Sequence, residues 1–315
     1  MMKKFIFKIA FLIILVILFM SLFLNKYGAY VDPFYDKFTT PKQNSMILGD
    51  SRSMQGLQPS IIDSCLVNDI YKLPTYNFSF TIEQIAYGPS YLEAIKRKLD
   101  TTYHNQLFIV TVSPWMLANR NPKLELESDS IFTNSPPHNM NYMTSKPNAE
   151  YLIKNFDFFK FDNIFTKNNK LHKNGWSEVH IDNCLKDNNT PKNIQLFLER
   201  KQSQIELFNG KATKWKPSKY RLNWLNKTIL YLQKHGTVIL VRMPIDKEIL
   251  KIENDFWNEF DREMYIISGN LQINYFTFPT STWSTFDGHH LDLYNSKIFT
   301  IKLSELIKEN NPTHE

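Results

Sequence analysis

Runs of apolar residues divide the 315-residue chain into two unequal parts. The first is continuous: residues 5–24 are apolar except for Lys8 and Ser21. About 20 such residues suffice to cross a bilayer as a helix. Lys3, Lys4 and Lys8 lie at its N-terminal end, and the positive-inside tendency places that end in the cytoplasm and the body outside it. A cleavable signal peptide is the alternative, but Asn25-Lys26-Tyr27-Gly28-Ala29-Tyr30 holds no clear small-x-small cleavage site. Residues 1–25 therefore read as cytoplasmic lysines and a transmembrane anchor. Residues 26–44 read as a juxtamembrane linker, with 30–35 as a short stalk.

From Met46 the apolar runs become short and alternate with helical spacing. Residues 45–48 read as a first strand, and 59–67 as a short helix opened by Pro59. Residues 71–79 read as extended. Over 82–99, Ile85, Leu92, Ile95 and Leu99 fall on one helical face. Residues 106–112 (Gln-Leu-Phe-Ile-Val-Thr-Val) are apolar enough for a strand covered on both sides. The rhythm then stops. Residues 119–215 carry few strand signals, with prolines at 136, 137 and 147 and a helical stretch at 192–209. This is an insertion, a candidate lid or substrate-facing subdomain. Its aromatics (Phe156, Phe158, Phe159, Phe161, Phe165, Trp176) suit either a sugar site or the insertion's own core. The alternation resumes with a helix at 217–234, ended at His235-Gly236 where glycine suits a left-handed cap. Strand 237–241, helix 246–268, strand 273–278 and helix 293–309 follow. This order predicts an α/β fold over 45–315, a three-layer α/β/α sandwich on a parallel sheet.

Composition narrows the possibilities. Hydrophobic residues make up 43% and aromatics 14%, enough for a sizeable core. The net charge of +6 includes the lysines beside the apolar run, and no block of Lys/Arg interleaved with aromatics suggests a nucleic-acid groove. Cys65 and Cys184 suit either a disulfide or two separate thiols, and they lack metal-binding spacing. His104, His138, His172, His180 and His235 show no metal spacing either. Neither a metal nor a cofactor is expected.

The candidate chemistry lies at two strand ends. Gly49-Asp50-Ser51 closes the first strand, and Asp287-Gly288-His289-His290 precedes the last helix. A serine hydroxyl attacks acyl carbon poorly until an oriented base removes its proton. With Asp-x-x-His spacing, one turn can aim both side chains at the same place. Asp287 is the orienting carboxylate, His290 the base and His289 the alternative base. Candidate oxyanion or substrate donors are the Ser51 amide, Arg52, Asn77, Ser79, Thr81 and Arg242. Asn77 equally suits a turn cap, and Arg242 a salt bridge.

Gly49-Asp50-Ser51 near the start and Asp287-Gly288-His289-His290-Leu291 near the end resemble the first and last blocks of the SGNH/GDSL hydrolase superfamily. The resemblance implies a flavodoxin-like sandwich with Ser51 as nucleophile, His290 as general base then acid, and Asp287 as its partner. The middle departs from the family. Asn77-Phe78-Ser79-Phe80-Thr81 lacks the second block's glycine, and Ser113-Pro114-Trp115 lacks the Gly-x-Asn-Asp of the third. With an anchor in front, the chain is similar to membrane-anchored SGNH-like envelope proteins that serve alginate O-acetylation or teichoic-acid D-alanine transfer. That resemblance implies acyl transfer or deacylation on an extracytoplasmic glycan, beside a membrane-bound O-acyltransferase partner. The alternative it leaves open is a catalytically inactive scaffold or glycan-binding assembly factor.

Overall fold

Period-two alternation in three buried strands decides the architecture. The computed structural model describes residues 2–32, 34–123, 127–155, 165, 171–178 and 194–310. Helix α1 (Met2–Val31) leads to strand β1 (Ser45–Leu48), helices α2 (Ser51–Gly56) and α3 (Pro59–Cys65), strand β2 (Thr75–Asn77), helix α4 (Pro89–Lys98) and strand β3 (Gln106–Thr111). The short strand β4 (Ala118–Asn119), helices α5 (Ala149–Asn155) and α6 (Ile194–Lys214), and strand β5 (Lys216–Pro217) come next. Helix α7 (Lys219–Leu232), strand β6 (Gly236–Val241), helices α8 (Lys247–Phe256) and α9 (Phe260–Leu271), strand β7 (Asn274–Phe276) and helix α10 (Leu293–Asn310) complete the chain.

The five-stranded sheet has the order β2-β1-β3-β6-β7, with every pairing parallel. Met46, Leu48, Phe108, Val110, Val238 and Leu240 point into one core. Ile47, Leu107, Ile109, Ile239 and Val241 point into the other. Helices α4, α7, α8 and α9 close the first face through Tyr91, Ile95, Leu225, Ile229, Ile249 and Met264. Helices α3 and α10 close the second through Ile62, Phe299, Leu303 and Ile307. This is the expected three-layer α/β/α sandwich, and its strand order reverses between β1 and β3. Sheets of this kind bind ligands at such a switch point, outside the carboxyl ends of the strands.

Helix α1 is long and apolar enough to cross a membrane. It runs unbroken to Val31, and Leu24 near its end is buried against the body. In the segment read as a linker, Tyr35, Lys37 and Phe38 are buried. Lys37 Nζ donates to the carbonyls of Asn77 at 2.6 Å and Gly175 at 2.8 Å. The insertion leaves and rejoins the sandwich through a two-stranded antiparallel ladder that pairs Ala118 with Pro217 and Asn119 with Lys216. Of its aromatics, Trp176 is buried and donates its indole N–H to the Gln55 carbonyl at 2.8 Å, while Phe165 is exposed. Phe156, Phe158, Phe159 and Phe161 lie outside the described residues, as do His180 and Cys184.

Several local expectations change. Gly236 opens β6 and is not a left-handed cap; a Cβ there would run into the Gln106 backbone of β3, so the glycine permits close strand approach. The helix expected over 82–99 starts only at Pro89, with Gly88 in the cap position. The helix expected over 246–268 divides at Trp257, whose ring is buried in the core beside Phe260.

Candidate active site

The segment after β1 makes one sharp turn into a helix. Gly49 has φ +151°, and a Cβ on it would collide with Thr111 Oγ1 of the neighbouring strand. Only glycine fits this crossing. Asp50 caps α2 by accepting the Arg52 N–H at 3.0 Å, which puts Ser51 in the helix's first position. The Ser51 amide is therefore among the N–H groups a helix leaves unpaired. Hydroxyls at the ends of β2 and β3 secure the turn. Ser113 Oγ donates to Asp50 Oδ2 at 3.0 Å, Thr111 Oγ1 lies 3.0 Å from Ser53 Oγ, and Ser53 Oγ lies 2.9 Å from Ser79 Oγ.

The loop before α10 is built with equal economy. An isolated bridge joins Thr285 to Leu291, and the Phe286 N–H donates to the His290 carbonyl at 3.0 Å. Gly288 has φ +86° and donates its N–H to Thr285 Oγ1 at 3.0 Å. Asp287 Oδ1 accepts the N–H groups of His289 (2.9 Å) and His290 (2.8 Å). Its Oδ2 lies 2.8 Å from His290 Nδ1.

Across the switch point, His290 Nε2 lies 2.8 Å from Ser51 Oγ. Asp287 is buried. Burial presses its carboxyl upward, yet the His290 ring and the two backbone N–H donors outweigh that and hold it below the usual carboxylate value. An ionised carboxylate can only accept, so it selects the tautomer with the proton on Nδ1. Nε2 is then the acceptor for the Ser51 hydroxyl. This geometry is that of a serine activated by an oriented imidazole.

His289, the alternative base, takes no such position. It is 2% exposed, and its ring lies against Phe208 at 4.5 Å between centroids and edge-on to His290 at 4.6 Å. Burial drives its pKa well down, and the neighbouring His290, Arg52 and Lys211 side chains lower it further.

The supporting candidates bond to local structure, although the buried Arg52 Nε has no partner among the described residues. The Arg52 guanidinium pairs with Asp50 at 3.3 Å and with Glu253 at 3.2 Å. Glu253, fully buried, also pairs with Arg242 at 2.9 Å, and Arg242 pairs with Asp261 at 2.5 Å. The two arginines thus share one buried carboxylate, and Arg242 takes the salt-bridge alternative. The Asn77 amide donates to the carbonyls of Ser53 (2.8 Å) and Leu57 (3.1 Å), tying α2 to β2. The Thr81 N–H and hydroxyl both donate to Gln84 Oε1. The structure brings Ser51, His290 and Asp287 into one hydrogen-bonded chain and leaves Asn77 and Thr81 without a free donor toward it.

Sequence reasoning missed two contributors. Gln204 of α6 donates to Asp287 Oδ2 at 3.2 Å. Glu253 lies in the middle of a helix with no motif around it. Among the described residues, no group of three His, Cys, Asp or Glu side chains is arranged to hold a metal ion.

No family model matches this chain, and a search of curated proteins finds no match. Among solved structures, the chain is similar to Est24, a carbohydrate acetylesterase from Sinorhizobium meliloti, at 8% identity and a TM-score of 0.37. The alignment covers 86% of this chain and all of that one. A likeness this loose assigns no chemistry here.

Proposed function

We propose that the chain is a membrane-anchored serine esterase or O-acyltransferase of the SGNH type. Its substrates are acyl esters, acetyl first among them, of a glycan outside the cytoplasm. The observation that carries this reading is the continuous relay Ser51–His290–Asp287, with both side-chain links at 2.8 Å.

In this reading His290 Nε2 takes the Ser51 proton as Oγ attacks the ester carbonyl. The developing oxyanion lies beside the first N–H groups of α2, where the Ser51 amide is the nearest donor in sequence. Collapse of the tetrahedral species breaks the C–O bond, and His290 returns the proton to the departing alcohol. The acyl group is then an ester on Ser51. Water or a second sugar hydroxyl, deprotonated by His290, attacks it and frees the serine. The lysines at 3, 4 and 8 orient α1 with its N-terminus in the cytoplasm, which puts this chemistry on the outer face. A membrane-bound O-acyltransferase is the partner expected if transfer prevails over hydrolysis.

The test uses the full-length protein in detergent with 4-nitrophenyl acetate and a fluorophosphonate probe. Turnover and labelling at Ser51 are expected. Equal labelling and turnover by Ser51→Ala would discard the mechanism.

A second reading is a scaffold that keeps the sheet without turnover. The engagement of Asn77 and Thr81 with other partners supports it, because loss of one oxyanion donor costs roughly a hundredfold or more in rate. It predicts normal acylation of the envelope polymer in cells carrying Ser51→Ala. A defect equal to that of the deletion would dismiss it.

A further inference from the structure

The Asp287 carboxylate accepts four hydrogen bonds. Three come from its own loop, through the His289 N–H, the His290 N–H and His290 Nδ1. The fourth comes from Gln204, 83 residues away on the inserted helix α6, and it ends on the same oxygen that faces His290 Nδ1. Only the NH2 end of the amide can serve there, because an ionised carboxylate offers no proton.

Gln204 belongs to a stripe on α6. Lys201, Gln204, Phe208 and Lys211 recur at intervals of three or four residues, which places them on one helical face. Lys201 pairs with Asp246 at 3.0 Å and Glu248 at 2.7 Å, anchoring α6 to the start of α8. The Lys201 stem also passes close to Gly288, where an added Cβ would stand 3.0 Å from its Cγ. Phe208 lies against His289. One turn before Gln204, the Arg200 guanidinium lies 5.9 Å from the Phe286 ring, which stacks on His290. The helix thus contacts four consecutive residues of the loop, 286 to 289, and Gln204 donates to a polar atom of the relay.

We infer that Gln204 is a positioning residue: through α6, the insertion holds the Asp287 carboxylate in the plane it needs to orient His290. The inference rests on the reading of Ser51, His290 and Asp287 as the reacting unit. The bond from Gln204 is the one of these four that does not come from the loop itself. Without it, the carboxylate can rotate about its Cβ–Cγ bond and weaken its hold on Nδ1–H. The contribution is to orientation, so it is felt in the chemical step and not in substrate affinity.

The experiment compares wild type, Gln204→Met and Gln204→Glu, full length in detergent at pH 8. Gln204→Met keeps length and packing but removes the donor, and its kcat on 4-nitrophenyl acetate is expected to fall about tenfold, the scale of one charge-assisted hydrogen bond, with KM within about twofold. Gln204→Glu keeps shape but opposes Asp287 with like charge, and is expected to fall at least as far. If either variant keeps wild-type kcat at an unchanged melting temperature, the inference is overturned. Proton NMR gives a second readout that needs no turnover. The downfield His290 Nδ1–H signal, assigned by its loss in Asp287→Ala, is expected to move in Gln204→Met, and an unmoved signal also overturns the inference. If the wild type neither turns over nor labels at Ser51, the proposed function fails, and the NMR comparison still decides the role of Gln204.

Discussion

His290 Nε2 stands 2.8 Å from the hydroxyl of Ser51, although 239 residues separate the two along the chain. Parallel strands β1, β3, β6 and β7 bring both chain segments to the same edge of the sheet, and Asp287 sets the ring's tautomer. Removing either end of this pair is expected to lower kcat by roughly a thousandfold or more, and removing both should cost little beyond removing one, since in the proposed mechanism the residues act as a unit. Initial rates for Ser51→Ala, His290→Gln and the double variant test this. His289→Gln serves as the control and should keep most of the activity.

Gly288 is expected to resist substitution. At φ +86°, with Lys201 and Ile249 about a methyl group away, an alanine is strained by its backbone and by its neighbours. Gly288→Ala should destabilise the protein by roughly 1–3 kcal/mol and depress activity by tilting the Asp287–His290 turn. Urea unfolding and esterase assays on the same preparation would show both effects. A variant as stable and active as wild type would mean the loop tolerates another conformation.

Glu253 is expected to be among the most sensitive positions in the body. It is fully buried and faces two guanidinium groups, those of Arg52 and Arg242. Glu253→Ala leaves two buried positive charges sharing the remaining carboxylates, and loss of one partner from a buried pair costs about 3–5 kcal/mol. Unfolding midpoints in urea measure this. Because Arg52 adjoins Ser51, the milder Glu253→Gln should also reduce labelling of the serine.

Asp32 gives the fold an acid-side preference. Its carboxyl is buried where α1 meets the body and receives the Tyr151 hydroxyl at 2.8 Å; burial pushes its pKa from 3.8 to about 6 against the pull of its hydrogen bonds. A folded-state pKa raised above the unfolded one contributes stability that is full below about 3.8 and lost as pH rises through about 6. The difference corresponds to at most roughly 3 kcal/mol. Wild type should therefore lose melting temperature between pH 5 and pH 7.5, and Asp32→Asn should lose less. A wild-type melting temperature that rises over that interval, or equals that of the variant throughout, would contradict the assignment.

Features that depend on local spacing are legible along the chain. The uniform run at 5–24, the two-sided apolar strand at 106–112 and the alternation of strands with helices are patterns of local spacing, and such patterns survive without knowledge of contacts. The Asp-x-x-His interval likewise sufficed to bring Asp287 and His290 together, because that meeting happens within one turn. Helix α2 was invisible because Ser-Arg-Ser-Met-Gln-Gly is short and has no apolar stripe. Where Arg52, Arg242, Asn77 and Thr81 direct their polar groups follows from packing, since each answers to a partner no spacing rule supplies. The same holds for Gln204, one glutamine on a mostly polar helix until the sheet places Asp287 beside it. Local chemistry is written in intervals along the chain, whereas the partners that orient it are chosen by the packing of elements far apart in sequence.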